Sequence, residues 1–504
     1  MTSSISTGLR IDAIQNTVLG PIAEAAIARS QALPDVTYDT INTALATARS
    51  AIGFREALSC PGRRFILEVK SASPSLGIIR TDLDLHQYAT IYSRFADAVS
   101  VLTEPTMFNG SFERLAHMRA LTTLPILAKD VFVSERQILA ARAAGADAVL
   151  LMLSVLKPET CVRLTAFARR LGLDVLTEAS EKVEVLEAVH MDAKIIGINH
   201  RNLRDLTIDL ERSARLAGFV PEDRILVAES GIRNHSDVER IGRVAQVLLV
   251  GTALNQADDL SLAVRKLVFG EMKVCGITRP VDAVTAAQAG FSAAGVVLCS
   301  RSPRAVPVEQ LSKLATDIKL RTQTLGLEMP LTTVIDANDT GMIAALRSPL
   351  VRNSFSALQI HGDVTNDDLN ALHADFPEKK LHLATSLPDA PARLQALARR
   401  LEGLLDDGIV DRILVDGTKD GITGGSGQAV PIAHLRTFRN SSRIRLAGGL
   451  HPANAREAAA TGVAGLDANS GVELSPGIKS KHLLEAFASS VRGNPDAVLM
   501  PNID

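Results

Sequence analysis

The chain alternates short apolar segments with amphipathic helical segments, and it does so twice in succession. In the first half the apolar segments number eight, and each has the length of a strand. They are Phe65–Val69, Ala98–Leu102, Ile126–Ala128, Ala148–Leu153, Val175–Leu176, Ile195–Ile198, Ile225–Ala228 and Val247–Val250. Eight parallel strands close a (β/α)8 barrel, and continuously apolar strands are typical of sheets covered on both faces. An open doubly wound sheet is the alternative, but the even strand count and the length favour closure.

The same alternation starts again in the second half and predicts a second barrel. Its strand segments are Lys273–Cys275, Gly295–Leu298, Thr332–Ile335, Ala357–Ile360, Leu381–Leu383, Ile413–Val415, Ile444–Leu446 and Gly465–Leu466. The predicted fold class is therefore α/β, with two tandem (β/α)8 TIM barrels. Helix-forming residues before the first strand predict an N-terminal helical extension that reaches about Ser59.

The predicted domains are a first barrel over residues 1–257, a last helix with a short junction over 258–271, and a second barrel over 272–504. The junction contains no stretch rich in glycine, serine or proline that would act as a flexible tether. We therefore expect a monomer in which the two barrels pack together.

The composition excludes several classes of partner. The 504 residues include 54 basic and 56 acidic ones, so no overall field favours nucleic acid or an anionic membrane. The longest apolar run, Ala148–Leu156, is too short to cross a bilayer. The cysteines, Cys60, Cys161, Cys275 and Cys299, are scattered, which argues against a disulfide framework or a zinc site. Without a recognisable signal peptide, these features predict a cytoplasmic protein.

Polar residues repeatedly end the strands of the first half. They are Glu68, Lys70, Lys129, Glu178, Asn199, Arg201 and Glu229. In a closed barrel they converge on one mouth, although a rim of structural salt bridges is the alternative. A lysine among carboxylates can act as a general acid, and a crowded glutamate has a raised pKa that suits a base. Ser230-Gly231 and Gly251-Thr252 follow strands seven and eight, where barrels bind phosphate, so we expect a phosphorylated substrate.

The second half places a cysteine and an aspartate at the ends of two strands. Cys275 follows the first strand and Asp416 follows the sixth. A thiolate base with a carboxylic acid suits an aldose–ketose rearrangement, whereas a lone cysteine would be an ordinary small core residue. Glycine-rich stretches after strands seven and eight, Ala447–Leu450 and Asp467–Gly471, suit close approach of the backbone to a phosphate.

The first half resembles indole-3-glycerol-phosphate synthase over essentially residues 1–257. The motifs are Ile66–Ser75, Ala128–Asp130, Leu150–Leu156, Leu176–Glu178, Gly197–Asn199 and Ala228–Ile232. The resemblance implies closure of a carboxyphenylamino-deoxyribulose phosphate to an indole ring, with loss of CO₂ and water. It departs at Val131, where an aromatic residue is expected and Phe132 is displaced by one position, and mildly at Asn202 and Thr252.

This resemblance implies a role for each polar residue of the first half. Lys129 would be the general acid at the substrate carbonyl and Glu178 the base for dehydration. Lys70 would bind the departing carboxylate, and its share of the acid role is left open. The residues implied to line the pocket are Glu68, Ser73, Asn199, Arg201 and Glu229, and those implied to hold phosphate are Ser230, Gly231, Gly251 and Thr252.

The second half resembles phosphoribosylanthranilate isomerase over about residues 272–490. The motifs are Val274–Thr278, Ser302–Arg304, Leu358–Gly362, Gly424–Gly427, Leu446–Leu450 and Ser470–Glu473 with Pro476-Gly477. The resemblance implies Cys275 as general base, Asp416 as general acid and Arg304 as partner of the anthranilate carboxylate. The residues implied to bind phosphate are Gly449, Ser470 and Gly471. Asp336-Ala337 stands where an apolar–aromatic strand end is expected, and Ala429-Val430 replaces an expected aromatic residue.

Together the two resemblances imply a bifunctional enzyme of tryptophan biosynthesis. The C-terminal barrel would act first and the N-terminal barrel second, on small phosphorylated substrates derived from anthranilate. Neither a metal nor an organic cofactor is implied. The rival hypotheses are a fusion with one barrel re-specialised, for instance towards the isomerisation of histidine synthesis, and a non-catalytic scaffold, which would have eroded strand ends.

Overall fold

Two compact units make up the chain, and each contains one closed barrel of eight parallel strands. The computed structural model describes residues 7–47, 53–202, 205–419, 422–423, 432–439 and 441–493. The units meet between Val264 and Arg265. The prediction of two tandem barrels is confirmed.

The strands of the first barrel pair in the order in which they occur in the chain. They are β1 (Arg64–Val69), β2 (Ala98–Leu102), β3 (Ile126–Lys129), β4 (Ala148–Met152), β5 (Asp174–Ala179), β6 (Ile195–Asn199), β7 (Ile225–Glu229) and β8 (Val247–Val250). The barrel closes where β1 pairs with β8, with Leu67 opposite Val250. β2, β4 and β6 are buried along their whole length, as expected for strands that face the barrel interior on one side and helices on the other.

Among the described residues, four helices precede β1 and confirm the N-terminal helical extension: α1 (Ile11–Ile14), α2 (Leu19–Ala32), α3 (Tyr38–Ala46) and α4 (Phe54–Ser59). A short hairpin, Ala72–Ser73 with Gly77–Ile78, follows β1. The remaining helices of this unit are α5 (Leu85–Phe95), α6 (Pro105–Phe108), α7 (Phe112–Leu121), α8 (Glu135–Ala143), α9 (Pro158–Arg170), α10 (Lys182–His190), α11 (Arg212–Leu216) with the 3₁₀ turn Ala217–Phe219, α12 (His235–Ile241) and α13 (Thr252–Asn255).

One helix, α14 (Leu260–Phe269), contains the point at which the two units meet. It ends before Gly270, which has a φ of 71°, a left-handed conformation that glycine adopts easily at the end of a helix. Glu271 already belongs to the next strand. A single glycine therefore separates helix α14 from the first strand of the second barrel.

The second barrel repeats the arrangement of the first. Its strands are β9 (Glu271–Val274), β10 (Ala293–Val297), β11 (Leu331–Asp336), β12 (Ala357–His361), β13 (Lys380–Thr385), β14 (Arg412–Val415), β15 (Ile444–Leu446) and β16 (Gly465–Ala468). Closure is between β9 and β16, where Lys273 lies opposite Asp467. Buried polar side chains are frequent in these strands, namely Lys273, Thr333, Gln359, His382, Arg445 and Asp467.

The helices of the second unit are α15 (Pro280–Ala289), α16 (Val308–Gln323), α17 (Thr340–Leu346), α18 (Pro349–Arg352), α19 (Asn366–Asp375), α20 (Pro391–Asp406), α21 (Ile432–Leu435), α22 (Ala455–Ala460) and α23 (Lys481–Val491). Short hairpins join Thr418–Lys419 to Ile422–Thr423 and Glu473–Ser475 to Ile478–Lys479, and 3₁₀ turns span Ser441–Arg443 and Ser470–Val472. The motif Gly424–Gly427 and the pair Ala429-Val430 lie outside the described residues. Over the ranges given above, no helix is long and apolar enough to span a membrane.

Candidate active sites

A cluster of lysines and glutamates lies at the carboxyl ends of the strands of the first barrel. Lys129, at the end of β3, donates a hydrogen bond from Nζ to Glu229 Oε2 at 3.0 Å. The same Nζ lies 3.3 Å from Glu68 Oε2, and Lys70 Nζ lies 3.4 Å from Glu68 Oε1. Glu68 therefore bridges the two lysines. The Glu229 side chain is completely buried beneath them.

The cluster fixes the protonation of its members. Burial disfavours the charged form of Lys129, but Glu68, Glu229 and Glu178 outweigh this effect and raise the pKa of Lys129. Burial lowers the pKa of Lys70, and Glu68 only partly offsets the loss. For Glu68, the two lysines outweigh burial and lower the pKa of the carboxyl group. Lys129 is therefore a charged proton donor, held between Glu68 and Glu229.

Glu178 differs from its neighbours because no lysine neutralises it directly. Burial, and then repulsion from Glu229, raise the pKa of Glu178 to about 8, while Lys129 and a hydrogen bond with Asn199 act in the opposite direction. Its Oε1 atom is buried and has no hydrogen-bond partner among the described residues. A carboxyl group in this state can accept or release a proton near neutral pH.

One cavity brings most of the predicted residues of the first barrel together. The predicted residues that line it are Glu68, Lys70, Ser73, Lys129, Glu178, Asn199, Arg201 and Ser230. Val18, Leu19 and Ile22, from the start of α2, also line it, so the N-terminal extension contributes an apolar wall. Glu229, which was expected to line the pocket, is completely buried and is not among the lining residues. Gly231, Gly251 and Thr252 follow the expected strands but are not among the lining residues either.

An aromatic side chain does line the cavity, but it comes from helix α6 and not from position 131. Val131 lines the cavity, whereas Phe132 is buried elsewhere. Phe108, in α6, lines the cavity instead, and Lys70 Nζ lies 5.4 Å from the centre of its ring. The charge of Lys70 is therefore stabilised on one side by Glu68 and on the other by an aromatic face.

Sequence reasoning missed an arginine that joins α2 to the barrel mouth. Arg29 donates to Glu104 Oε1 at 2.8 Å and to Asp130 Oδ1 at 2.9 Å, and both carboxylates are buried. Burial raises the pKa of Asp130 to about 6, although Arg29 opposes the shift. Glu104 also accepts from the backbone N–H of Phe108 at 3.2 Å. Since Asp130 directly follows Lys129, this arginine supports the position of the catalytic lysine candidate.

Asn255, in α13, is a second buried residue that sequence reasoning missed. Its side-chain amide donates to the carbonyl oxygen of Glu68 at 2.8 Å, and its Oδ1 accepts from the hydroxyl of Tyr88 at 2.8 Å and the backbone N–H of Lys70 at 3.1 Å. The end of β1 is thereby fixed to the segment that follows β8. A single polar residue in an otherwise ordinary helix carries no local signal of such a role.

The second barrel has its own cavity at the carboxyl ends of its strands. The predicted residues that line it are Cys275, Arg304, Asp416, Gly449 and Ser470. Gly471 is not among the lining residues, and Gln359, His361 and Asp467 line the cavity without having been predicted as site residues. The thiol and the carboxyl group therefore reach one cavity from strands that are far apart in the sequence.

Cys275 and Asp416, the two candidate proton-transfer groups of this cavity, must be in opposite protonation states: the thiol deprotonated and the carboxyl group protonated. Burial raises the pKa of the Cys275 thiol, and Lys273 acts against that shift. Burial and the nearby Asp467 carboxylate raise the pKa of Asp416 to about 7, against the effects of the Gly417 backbone and Lys273. In the described structure, Asp416 Oδ1 is buried without a hydrogen-bond partner. Asp416 can therefore carry a proton at neutral pH.

Two arginines line the same cavity, and each is paired with a carboxylate. Arg304 donates to both carboxylate oxygens of Glu473, with NH2 to Oε2 at 2.7 Å, and Lys479 Nζ lies 2.7 Å from Glu473 Oε1. Arg301 forms an ion pair with Asp336. Asp336, in the pair where an apolar–aromatic strand end was expected, therefore binds a cation at the mouth of the cavity.

Comparisons with known proteins assign a family to each half of the chain. The family model of indole-3-glycerol phosphate synthase matches residues 22–267, and that of N-(5'-phosphoribosyl)anthranilate isomerase matches residues 272–490. The tryptophan biosynthesis protein TrpCF of Vibrio cholerae is 40% identical over 445 residues, which are 88% of this chain and 89% of that protein. The chain belongs to this family.

Other TrpCF proteins support the assignment. TrpCF of Corynebacterium glutamicum is 40% identical over 424 residues, covering 82% of this chain and 84% of that protein. The first barrel is thus an indole-3-glycerol phosphate synthase, a lyase, and the second a phosphoribosylanthranilate isomerase. The prediction of a bifunctional enzyme of tryptophan biosynthesis is confirmed.

Solved structures are similar to a part of the chain. The phosphoribosylanthranilate isomerase of Thermus thermophilus is 27% identical, with a TM-score of 0.35, and covers 44% of this chain and 98% of that chain. TrpF of Jonesia denitrificans is 28% identical, with a TM-score of 0.34, and covers 45% and 98% respectively.

Proposed function

We propose that the two barrels catalyse consecutive steps with the residues gathered in their cavities. The C-terminal barrel isomerises N-(5-phosphoribosyl)anthranilate to 1-(2-carboxyphenylamino)-1-deoxyribulose 5-phosphate. The N-terminal barrel decarboxylates, cyclises and dehydrates that product to indole-3-glycerol phosphate. One observation carries the proposal: each cavity contains two groups suited to proton transfer, one of them a carboxyl group with a pKa near neutral pH. In the synthase cavity the charged Lys129 accompanies Glu178, and in the isomerase cavity the buried thiol of Cys275 accompanies Asp416.

In the isomerase barrel, Asp416 is the general acid and Cys275 the general base. Asp416 protonates the ring oxygen of the ribose as the sugar ring opens to a Schiff base. The Cys275 thiolate then removes the proton from C2, and the enol that results tautomerises to the ketone. The position of Asp416 on this route is supported by its pKa of about 7, which leaves a large protonated fraction at neutral pH.

Three further elements bind the substrate of the isomerase. Arg304 binds the anthranilate carboxylate through the guanidinium edge that faces the cavity while Glu473 holds the other side. Gly449, Ser470 and Gly471 hold the phosphate with backbone N–H groups. This role is supported by the position of Gly449 and Ser470 on the cavity wall.

In the synthase barrel, Lys129 protonates the substrate carbonyl oxygen while the ring carbon attacks, and CO₂ then leaves. Glu178 removes the proton that completes dehydration, and Lys70 with Ser73 binds the departing carboxylate. Glu68 and Glu229 hold the lysines in place, which is supported by their contacts of 3.0 to 3.4 Å with the ammonium groups. Asn199 and Arg201 line the pocket, and Ser230, Gly231, Gly251 and Thr252 bind the phosphate.

Further proposals concern the whole chain. We propose that it acts as a monomer, with the synthase over residues 1–257, the last helix and junction over 258–271 and the isomerase over 272–504. A cytoplasmic location is supported by four cysteines that are all free thiols.

Two single substitutions, assayed with each substrate separately, test the assignment of roles. Lys129→Ala should abolish indole-ring formation and leave the isomerase unchanged, whereas Cys275→Ala should do the reverse. Lys157→Ala and Cys60→Ala are matched controls, since both side chains are exposed and away from the cavities. If either site variant keeps its own reaction near the normal rate, the role proposed for that residue is wrong.

A further inference from the structure

A buried ion pair lies inside the isomerase barrel, below the cavity. Lys273 on β9 and Asp467 on β16 are direct register partners at the point where the barrel closes. Lys273 Nζ lies 2.6 Å from Asp467 Oδ2, and their side chains are 0% and 5% exposed. A charge pair this deep is expensive to bury, and replacing it with apolar residues of similar size often leaves stability unchanged. Stability alone is therefore a weak reason for its presence.

The cation of this pair lies beside the Cys275 thiol. Lys273 and Cys275 are two residues apart, so their side chains point to the same side of the strand. Both reach the space above Gly295 on β10. A Cβ atom added to Gly295 would lie 2.8 Å from Cys275 Sγ, 2.9 Å from Lys273 Cε and 3.0 Å from Lys273 Nζ. The absence of a side chain at Gly295 is what allows the sulfur and the ammonium group to share this space.

The anion of the pair lies on the side of the acid. Asp467 lines the cavity together with Asp416. Lys273 occupies only Asp467 Oδ2, and Asp467 Oδ1 is buried with no hydrogen-bond partner in the part of the chain that is described. Asp416 Oδ1 is in the same state. Two carboxyl oxygens without partners thus face one cavity.

We propose that Lys273 and Asp467 are positioning residues for the isomerisation, which place a cation beside the Cys275 thiol and an anion beside the Asp416 carboxyl group. The cation favours the thiolate that accepts a proton, and the anion favours the protonated acid that donates one. The proposal rests on the roles assigned above to Cys275 and Asp416. A single ion pair thereby favours the reactive form of the base and the reactive form of the acid in the same pH range.

The other charged groups around the thiol do not replace Lys273. Asp467 raises the pKa of the Cys275 thiol, but by less than Lys273 lowers it. Arg304 and Lys479 also act on Cys275, but both are bound to Glu473, which offsets their charge. His361 is neutral, because burial, helped by Lys273, lowers its pKa to about 4. Around Asp416, the charged groups that act on the carboxyl are Asp467 and Lys273 themselves.

The test compares single and double substitutions. Lys273→Met and Asp467→Asn each leave a buried charge without its partner, so both should impair folding as well as activity. The double variant Lys273→Met/Asp467→Asn removes both charges and should restore folding. If the pair tunes the reaction, the double variant should not restore activity. Its isomerase kcat/KM at pH 7 should stay at least about tenfold below that of the parent protein. A shift of about one unit in the pKa of Cys275 or of Asp416 is enough to change the reactive fraction of that group tenfold.

The pH profile of kcat/KM separates positioning from structure. In the double variant the acidic limb should move to higher pH, because the thiol loses its cation. The alkaline limb should move to lower pH, because Asp416 loses its anion. Lys273→Arg keeps a cation and should keep both limbs. The pH dependence of Cys275 alkylation by iodoacetamide, mapped by peptide, reports the thiol directly. Synthase activity in the same chain and a thermal melt report folding.

A double variant whose profile coincides with that of the parent protein would overturn the proposal. If the methionine pair does not fold, Lys273→Gln/Asp467→Asn keeps two polar groups of similar size and is measured in the same way. Failure of the underlying roles is distinguishable, because Cys275→Ala would then retain isomerase activity whatever the ion pair does.

Discussion

Removal of the Arg29 side chain is the sharpest test of how the N-terminal extension supports the synthase site. Arg29 on α2 contacts two carboxylates of the barrel mouth, Glu104 at 2.8 Å and Asp130 at 2.9 Å, whose side chains are only 1% and 3% exposed. Arg29→Ala leaves both carboxylates buried without a cation. We expect loss of synthase stability and activity, with the isomerase unaffected.

The size of the effect follows from what the carboxylates retain. Removing one partner of a buried ion pair costs about 3–5 kcal/mol. Arg29 is 25% exposed, and Asp130 keeps hydrogen bonds from Thr103 Oγ1 at 3.1 Å and the Val131 N–H at 2.8 Å. Glu104 keeps the N–H of Met107 at 2.7 Å. These bonds reduce the expected loss in free energy of unfolding to about 2–3 kcal/mol near neutral pH.

The loss should depend on pH in one direction. The pKa of Asp130 is about 6, above its ordinary value because of burial, and Arg29 lowers it. Without Arg29 the pKa of Asp130 in the folded protein rises further. Below about pH 6, Asp130 is protonated with or without Arg29, so its part of the stability difference disappears. As the pH rises above 6, the parent protein ionises Asp130 more readily, and the variant becomes relatively less stable.

Urea unfolding at pH 5 and pH 8, followed by synthase activity, measures both quantities. Arg136→Ala is the matched control, because Arg136 is about as exposed as Arg29 and binds the carbonyl oxygen of Leu33 at the end of α2 at 3.2 Å, but its carboxylate partner, Asp35, is 74% exposed. This control should lose less than about 1 kcal/mol at either pH. A stability of Arg29→Ala within about 0.5 kcal/mol of the parent protein at pH 8 would refute the reasoning.

Two further predictions concern the synthase cavity. The kcat/KM of the synthase should fall as the pH drops below about 8, because Glu178 must be ionised to act as the base and its pKa is raised to about 8. Glu178→Gln should abolish this limb of the pH profile. A profile that is flat from pH 6 to 9 in the parent protein would contradict the role of Glu178. Gly197→Ala should lower synthase kcat/KM by about tenfold or more, because the added Cβ would lie 2.2 Å from Glu229 Oε1 and displace this partner of Lys129. Gly218→Ala is the control and should have no effect, because nothing among the described residues lies within 4 Å of its added Cβ. Equal activities in the two variants would contradict the prediction.

The convergence of the synthase residues was predictable, because it follows from strand direction alone. Glu68, Lys129 and Glu178 end parallel strands, and such ends meet at one mouth whatever the intervening helices are. Arg29 was not predictable in the same way. It lies 75 and 101 residues before its two partners, on a helix that belongs to no βα unit. No hydrophobic period specifies where such a helix docks.

The isomerase barrel shows a similar limit. The strand ends bearing Cys275 and Asp416 were visible as polar residues after apolar runs. Asp467 instead appeared to belong to a glycine-rich phosphate loop, because the predicted strand ended at Leu466. The structure extends this strand to Ala468, which turns the Asp467 side chain towards Lys273. That contact depends on the register at barrel closure, and no local pattern contains it.

The synthase cavity suggests how a proton-transfer group is recognised among many carboxylates. Glu229 is fixed by Lys129 at 3.0 Å and is completely buried. Its charge repels Glu178 and helps raise the pKa of Glu178 to about 8. The residue that transfers the proton is therefore the one left without a lysine, and the carboxylate that has a lysine serves to tune it.

The isomerase cavity has the same arrangement: a carboxylate bound by a lysine lies near a second carboxyl group that no lysine among the described residues binds. Asp467 is fixed by Lys273 at 2.6 Å, and its charge helps raise the pKa of Asp416, which has no lysine within bonding distance in the described structure, to about 7. In both barrels a lysine binds one carboxylate, and that carboxylate helps raise the pKa of a second carboxyl group towards neutral pH. An ion pair near a barrel mouth thus marks the tuning residue, and its unpaired neighbour is the residue to substitute when the acid or base is sought. Asp416→Asn should accordingly cost the isomerase more activity than the double substitution of the ion pair, and the reverse order would contradict this division of roles.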